Sequence, residues 1–179
     1  MAWLDNNGVT YSADKKILLN GNSKLERYQV LDGCEVIDGP LCPYKELLKD
    51  FRVSQLRSIG LPDSIKVIRP MSFTGCNKLE RIIIPPEVKV IPDSCFMGCW
   101  KLEEIVLPEG LLTIASSAFI ACRKLKKIKL PSTLKEIGAS AFEGCDSLEE
   151  IIIPKSVELI DPDAFFGCLN LKVIRERHK

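Results

Sequence analysis

A period of 23 residues governs this chain and leaves it few folds. LERIIIPPEVKVIPDSCFMGCWK, from Leu79 to Lys101, recurs in close variants from Leu102, Leu125 and Leu148, and Leu56 opens an earlier copy. Each copy runs Leu-x-x-Ile-x-(Leu/Ile)-Pro, a polar turn, an apolar-x-x-Ile step and Phe-x-x-Cys, then closes on the next Leu. A unit this short cannot bury its own apolar face, so neighbouring units must stack to build a core. Leu79, Ile82 and Ile84 point inward from a short strand, which Pro85 ends because proline has no N–H for further pairing. Stacked units set equivalent strands about 4.8 Å apart as a parallel sheet.

The return path has a helical look. Asp161-Pro162-Asp163 reads as a cap followed by proline at the first helical position. Gly75, Gly98, Gly144 and Gly167 stand where a single helical turn must stop. Ala121 takes that place in one coil, so either its turn differs or it carries strain. The expected class is an α/β-type repeat solenoid, with a parallel sheet on the concave face and short helical turns or loops on the convex side.

Outside the regular array, residues 1–24 carry a hairpin signal, Val9 to Tyr11 and Ile17 to Leu19 around a polar turn, and read as an N-terminal β-hairpin cap. Residues 25–55 read as a degenerate first repeat with an insertion, because Ile37 and Ile68 are 31 residues apart rather than 23. Tyr44, Leu47, Leu48 and Phe51 within that insertion have helical spacing. Residues 56–170 hold five regular repeats, and 171–179 a terminal strand and charged tail, all within one domain. After Ile174 come only charges and no cap, so charge-guarded fraying or a stacked partner is expected at that end.

The Leu-x-x-Ile-x-Leu-Pro and Ala-Phe-x-x-Cys-x-x-Leu phrases between Leu56 and Ile174 resemble leucine-rich repeats of the 23-residue BspA type. The segment Gly8 to Lys16 is similar to one that often precedes such arrays. The resemblance implies a leucine-rich repeat solenoid of a bacterial family found in cell-surface and secreted proteins implicated in adhesion. It implies no catalytic residues.

Lys plus Arg number 25 against 24 Asp plus Glu, a net charge of +1, so nucleic acid is not the expected partner. No run of about 18 apolar residues favours membrane insertion. The start, MAWLDNNG, lacks the basic and apolar regions of a secretory signal, which keeps a cytoplasmic location as the alternative to the cell surface.

Eight cysteines invite a chemical reading. Cys76, Cys99, Cys122, Cys145 and Cys168 repeat with the period, and parallel Cα–Cβ vectors about 4.8 Å apart are too far and wrongly aimed for bridging. The column therefore reads as buried free thiols packed as small hydrophobes, in the place other leucine-rich repeats give to asparagine. Cys95 lies in the alanine column beside Ala118, Ala141 and Ala164, and its spacing to Cys99 is not that of a zinc or redox motif. Cys34 and Cys42 flank the irregular coil and are candidates to pair. They also support a remote enzymatic alternative. His178 sits alone in the charged tail, so no Ser/His or Cys/His constellation assembles, and the chain reads as no enzyme, with no cofactor and no metal site.

What remains free to carry function is the exposed side of the strands. Arg81, Glu104, Lys127 and Glu150 alternate in sign down the stack and are expected to form a ladder of ion pairs. Ile83, Val106 and Ile152 form an aliphatic stripe that Lys129 interrupts, unusual for a free surface. These eight residues are the candidate interaction face for a protein or peptide ligand. A structural solenoid associating end to end with its own copies is the rival reading.

Overall fold

The computed structural model describes residues 1–42 and 54–175. The helical spacing at Tyr44 to Phe51, and His178, lie outside the described residues. The elements are all strands: β1 (Trp3–Leu4), β2 (Thr10–Tyr11), β3 (Ile17–Asn20), β4 (Arg27–Gln29), β5 (Val36–Ile37), β6 (Ser58–Gly60), β7 (Val67–Ile68), β8 (Arg81–Ile83), β9 (Val90–Ile91), β10 (Glu104–Val106), β11 (Thr113–Ile114), β12 (Glu136–Ile137), β13 (Glu150–Ile153), β14 (Leu159–Ile160) and β15 (Lys172–Arg175). Most coils contribute one strand to a first sheet and, after the proline turn, a shorter strand to a second; the coil that begins at Leu125 contributes only the second. Within the first sheet β10, β8, β6 and β4 pair in parallel, as do β13 and β15. Equivalent residues meet in register, Ile105 beside Ile82 and Val106 beside Ile83. The second sheet is split between β7 and β9, with β14, β12, β11 and β9 on one side. On the other, β5 joins β7 to β3, which pairs antiparallel with β2.

No helix occurs among the described residues, so the molecule is a purely β solenoid and not the α/β repeat that the return path suggested. The reason lies in where the backbone donors point. In the coil from Pro92 to Cys99, the N–H groups of Ser94, Phe96 and Gly98 reach the next coil, donating to Ser116, Ala118 and Ile120 carbonyls at 3.0, 2.8 and 2.8 Å. The alternate donors, Cys95, Met97 and Cys99, close tight turns onto carbonyls three residues back at 3.2, 3.2 and 3.1 Å. An α-helix needs every donor aimed four residues back along its own chain; here every second donor is committed sideways. Left-handed backbone at Ser94 (φ 53°) and Gly98 (φ 74°) breaks any helical run. Asp161 likewise accepts from the Asp163 N–H at 2.9 Å as a side-chain turn, with no helix behind it.

Ala121 adopts the same turn as the glycines, at φ 58°, and its N–H still reaches the next coil through Glu143. The coil thus keeps its geometry, and the alanine takes up the strain.

The core is a set of columns. Leu79, Leu102, Leu125 and Leu148 are buried, as are Ile82, Ile105, Ile128 and Ile151. Phe73, Phe96, Phe119, Phe142 and Phe165 stack with ring centroids 4.9, 5.4, 5.2 and 5.5 Å apart. At the N-terminal end Tyr11 and Tyr28 share a hydroxyl hydrogen bond of 2.5 Å, and Tyr28 donates to Asp5 at 2.6 Å.

Candidate interaction face

The first sheet positions the candidate residues. In β8 the burial pattern is exposed, buried, exposed, so Arg81 and Ile83 point outward while Ile82 enters the core. The same alternation in β10 exposes Glu104 and Val106, and in β13 it exposes Glu150 and Ile152. Ile83, Val106 and Ile152 are 54%, 39% and 47% exposed. Ile83 and Val106 stand directly side by side. Lys127 and Lys129 are exposed around buried Ile128.

The expected charge ladder forms only in part. Arg81 pairs with Glu104 at 3.0 Å, and one row earlier Arg57 pairs with Glu80 at 3.0 Å. Among the described residues Lys127 makes no ion pair with Glu104 or Glu150; Glu103 is instead taken by Lys124 at 3.4 Å. The cause is a break in the sheet: residues 126–130 belong to no strand, and β10 and β13 are both left with an unpaired edge there. Lysine suits a pleated surface less well than Ile or Val, and Lys129 would have to lie between Val106 and Ile152. A cavity of about 540 Å³ opens between this segment and β13, with lysines 126, 127 and 129 on one wall and Glu149, Glu150 and Ile152 on the other. A second, of about 370 Å³, lies on its other side against Glu104 and Val106.

Ion pairs also form along the second sheet. Glu35 lies between Lys16 at 2.9 Å and Lys66 at 3.0 Å, and the pair holds its carboxyl below the usual range. Lys135 pairs with Glu158 at 2.6 Å. These charges occupy the position two places before the apolar-x-x-Ile isoleucines Ile37, Ile68, Ile137 and Ile160 and before Leu18.

The cysteines divide. Cys42 is bridged to Cys76, Cα to Cα 5.6 Å, so one column cysteine is not free and Cys34 is not the partner of Cys42. Cys42 enters 34 residues before Cys76, out of the 23-residue register, so its Cβ is free of the parallel aim that forbids bridging within the column. Cys34, Cys95, Cys99, Cys122 and Cys145 are free and buried, and Cys168 is half-buried. Each column thiol after Cys76 donates to a phenylalanine carbonyl one coil back: Cys99 to Phe73 at 3.2 Å, Cys122 to Phe96 and Cys145 to Phe119 at 3.3 Å, Cys168 to Phe142 at 2.9 Å. Burial pushes the Cys122 thiol up to about 12. These thiols are hydrogen-bonded spacers, and Cys34 and Cys42 share no site.

Among the described residues no group of three His, Cys, Asp or Glu is placed to hold a metal ion. No helix among them is long and apolar enough to cross a membrane.

Fold and face together define a repeat scaffold that presents a surface. Residues 49–172 match the model of the BspA type leucine rich repeat region in six copies, and the chain belongs to that family. It is a leucine-rich-repeat module. No curated protein matches. Among solved structures it is similar to a leucine-rich repeat protein from Eubacterium ventriosum, with TM-score 0.67, 21% identity, and coverage of 93% of this chain and 49% of that one. A leucine-rich repeat protein from Bacteroides ovatus gives 0.62 and 28%, over 98% of this chain and 39% of that one. One from T. pallidum gives 0.63 and 25%, over 97% and 67%. The chain thus spans half or less of the first two structures.

Proposed function

We propose that the outward face of the first sheet, centred on Ile83 and Val106 and flanked by Arg81, Glu104, Lys127, Lys129, Glu150 and Ile152, binds a protein ligand in an adhesion role at a bacterial cell surface. The observation that carries this is the adjacent pair of half-exposed aliphatics, Ile83 and Val106, standing beside an Arg81 and Glu104 that already pair with each other. Apolar neighbours left in water on a rigid sheet mark a contact surface. The surface location rests on the family resemblance and on likeness to bacterial leucine-rich repeat proteins.

A photo-crosslinker placed at Ile83 should capture a surface protein that a crosslinker at Glu143, on the return path, does not. The double variant Ile83→Lys, Val106→Glu should abolish that capture with the fold intact by circular dichroism. Unchanged capture would sink the reading.

A second reading, end-to-end association of copies, is favoured by the last coil, where Phe166 and Leu169 are 66% and 92% exposed. It requires a concentration-dependent dimer in sedimentation velocity; a monomer at every concentration refutes it.

A further inference from the structure

The break in the first sheet is a built feature with its own chemistry. Elsewhere the coils are laced at the start of each strand, Glu80 N–H to Arg57 carbonyl at 3.1 Å, Glu103 to Glu80 at 2.9 Å, Lys172 to Glu149 at 2.8 Å. The two bonds that would run through Lys126 are missing among the described residues, although the second sheet stays joined across the same coil through β11 and β12. The solenoid therefore gapes on one face only. Burial along Lys127, Ile128, Lys129 and Leu130 alternates exposed and buried, as in an extended chain, so both lysines project from the same side, about 7 Å apart. Neither they nor Lys126 make an ion pair among the described residues, while the cations of the preceding coils, Arg57 and Arg81, do.

From this we infer that the cleft at Lys126, Lys127 and Lys129 receives an extended acidic segment of a protein partner, with glutamates at alternate positions. Alternate side chains of an extended chain repeat at the same distance as Lys127 and Lys129, so two carboxylates meet two ammoniums in register. A cavity of about 540 Å³ is of the size that holds side chains. The methylene stems of glutamate pack along Ile152, which is half-exposed and lines the cleft. Glu149 and Glu150 on the far wall confine the anionic groups to the lysine side. The inference rests on the face proposed above and narrows its partner to one chemistry.

The test uses the full chain and two synthetic peptides, one alternating glutamate with threonine and one alternating lysine with threonine, with binding read by calorimetry. The glutamate peptide should bind saturably, more weakly as salt rises, and the lysine peptide should not. Lys127→Glu with Lys129→Glu should weaken the glutamate peptide about tenfold or more, and Lys127→Gln with Lys129→Gln by less. All four side-chain changes are on exposed positions, and an unchanged melting curve certifies the fold. Equal binding of both peptides, no binding of either, or indifference to the charge reversal overturns the inference. If crosslinking through Ile83 succeeds while the glutamate peptide fails, the face stands and the acidic partner falls.

Discussion

Replacing Phe119 with alanine tests whether the phenylalanine column is the unit that holds the coils together. Phe119 has no exposed surface, and its ring lies between Phe96 at 5.4 Å and Phe142 at 5.2 Å, with planes 3° and 14° from parallel. Truncating a fully buried phenylalanine costs about 3–5 kcal/mol. Two lost stacking partners, each worth about 0.5–1.5 kcal/mol, place Phe119→Ala in the upper half of that range, about 4–5 kcal/mol. Domains have only about 5–15 kcal/mol in all, so this is a large fraction of the fold. The control is Phe165→Ala, where the ring is half-buried and has a single stacking partner, Phe142 at 5.5 Å. It should cost about 2 kcal/mol. Urea unfolding followed by far-ultraviolet circular dichroism gives both values, with an unchanged m-value confirming that stability alone has moved. Because each coil touches only its neighbours, hydrogen exchange should quicken first at the turns of residues 117–122 and the two adjoining coils. Equal losses for Phe119→Ala and Phe165→Ala, or a Phe119→Ala loss near 1 kcal/mol, would refute the column as the source of cohesion.

Reducing the Cys42–Cys76 bridge, or Cys42→Ser, should cost about 4 kcal/mol by the chain-entropy account, since it closes a separation of 34 residues; a melting temperature indifferent to reductant contradicts this. Ala121→Gly should raise stability by about 0.5–1 kcal/mol in urea melts by removing a Cβ from left-handed backbone, and Gly144→Ala should do the reverse. Native thiol labelling should reach Cys168 first, and Cys99, Cys122 and Cys145 only on unfolding; fast labelling of Cys122 in the native state would show that the column is not sealed. At Asp5 burial works against the charge, but hydrogen bonds led by that from Tyr28 leave its pKa lowered in the fold. The stability it supplies is therefore present above about pH 4 and lost as pH falls through the lowered value, so acid unfolding of Asp5→Asn should be shallower than that of the parent.

The repeat was legible because its columns are packing requirements: Leu79, Ile82, Phe96 and Cys99 recur since an identical neighbour must fit above and below each of them. The helical return path was misread because Asp161-Pro162 and Gly98 carry the same letters in a helix end and in stacked tight turns; what separates the two is the direction of alternate N–H groups, a property of neighbouring coils rather than of local sequence. The Cys42–Cys76 bridge escaped for a related reason. The register rule that forbids bridging applies only between equivalent positions, and Cys42 lies outside the register.

The candidate face was legible as a row of exposed positions, yet its most informative feature was hidden in the assumption that the sheet is continuous. Alternating signs at Arg81, Glu104, Lys127 and Glu150 suggest a closed ladder, and a closed ladder has no unmet charge to offer a partner. By parting at residues 126–130, the structure converts three lysines from register pins into free cations beside exposed aliphatics, while Arg57 and Arg81 remain neutralised by Glu80 and Glu104. A solenoid can tolerate that opening because the second sheet and the Phe119 to Phe142 stack still join the same coils. On this proposal cohesion and recognition fall on different sides of one coil. A change at Lys127 or Lys129 should therefore alter binding with little effect on stability, and one at Phe119 the opposite.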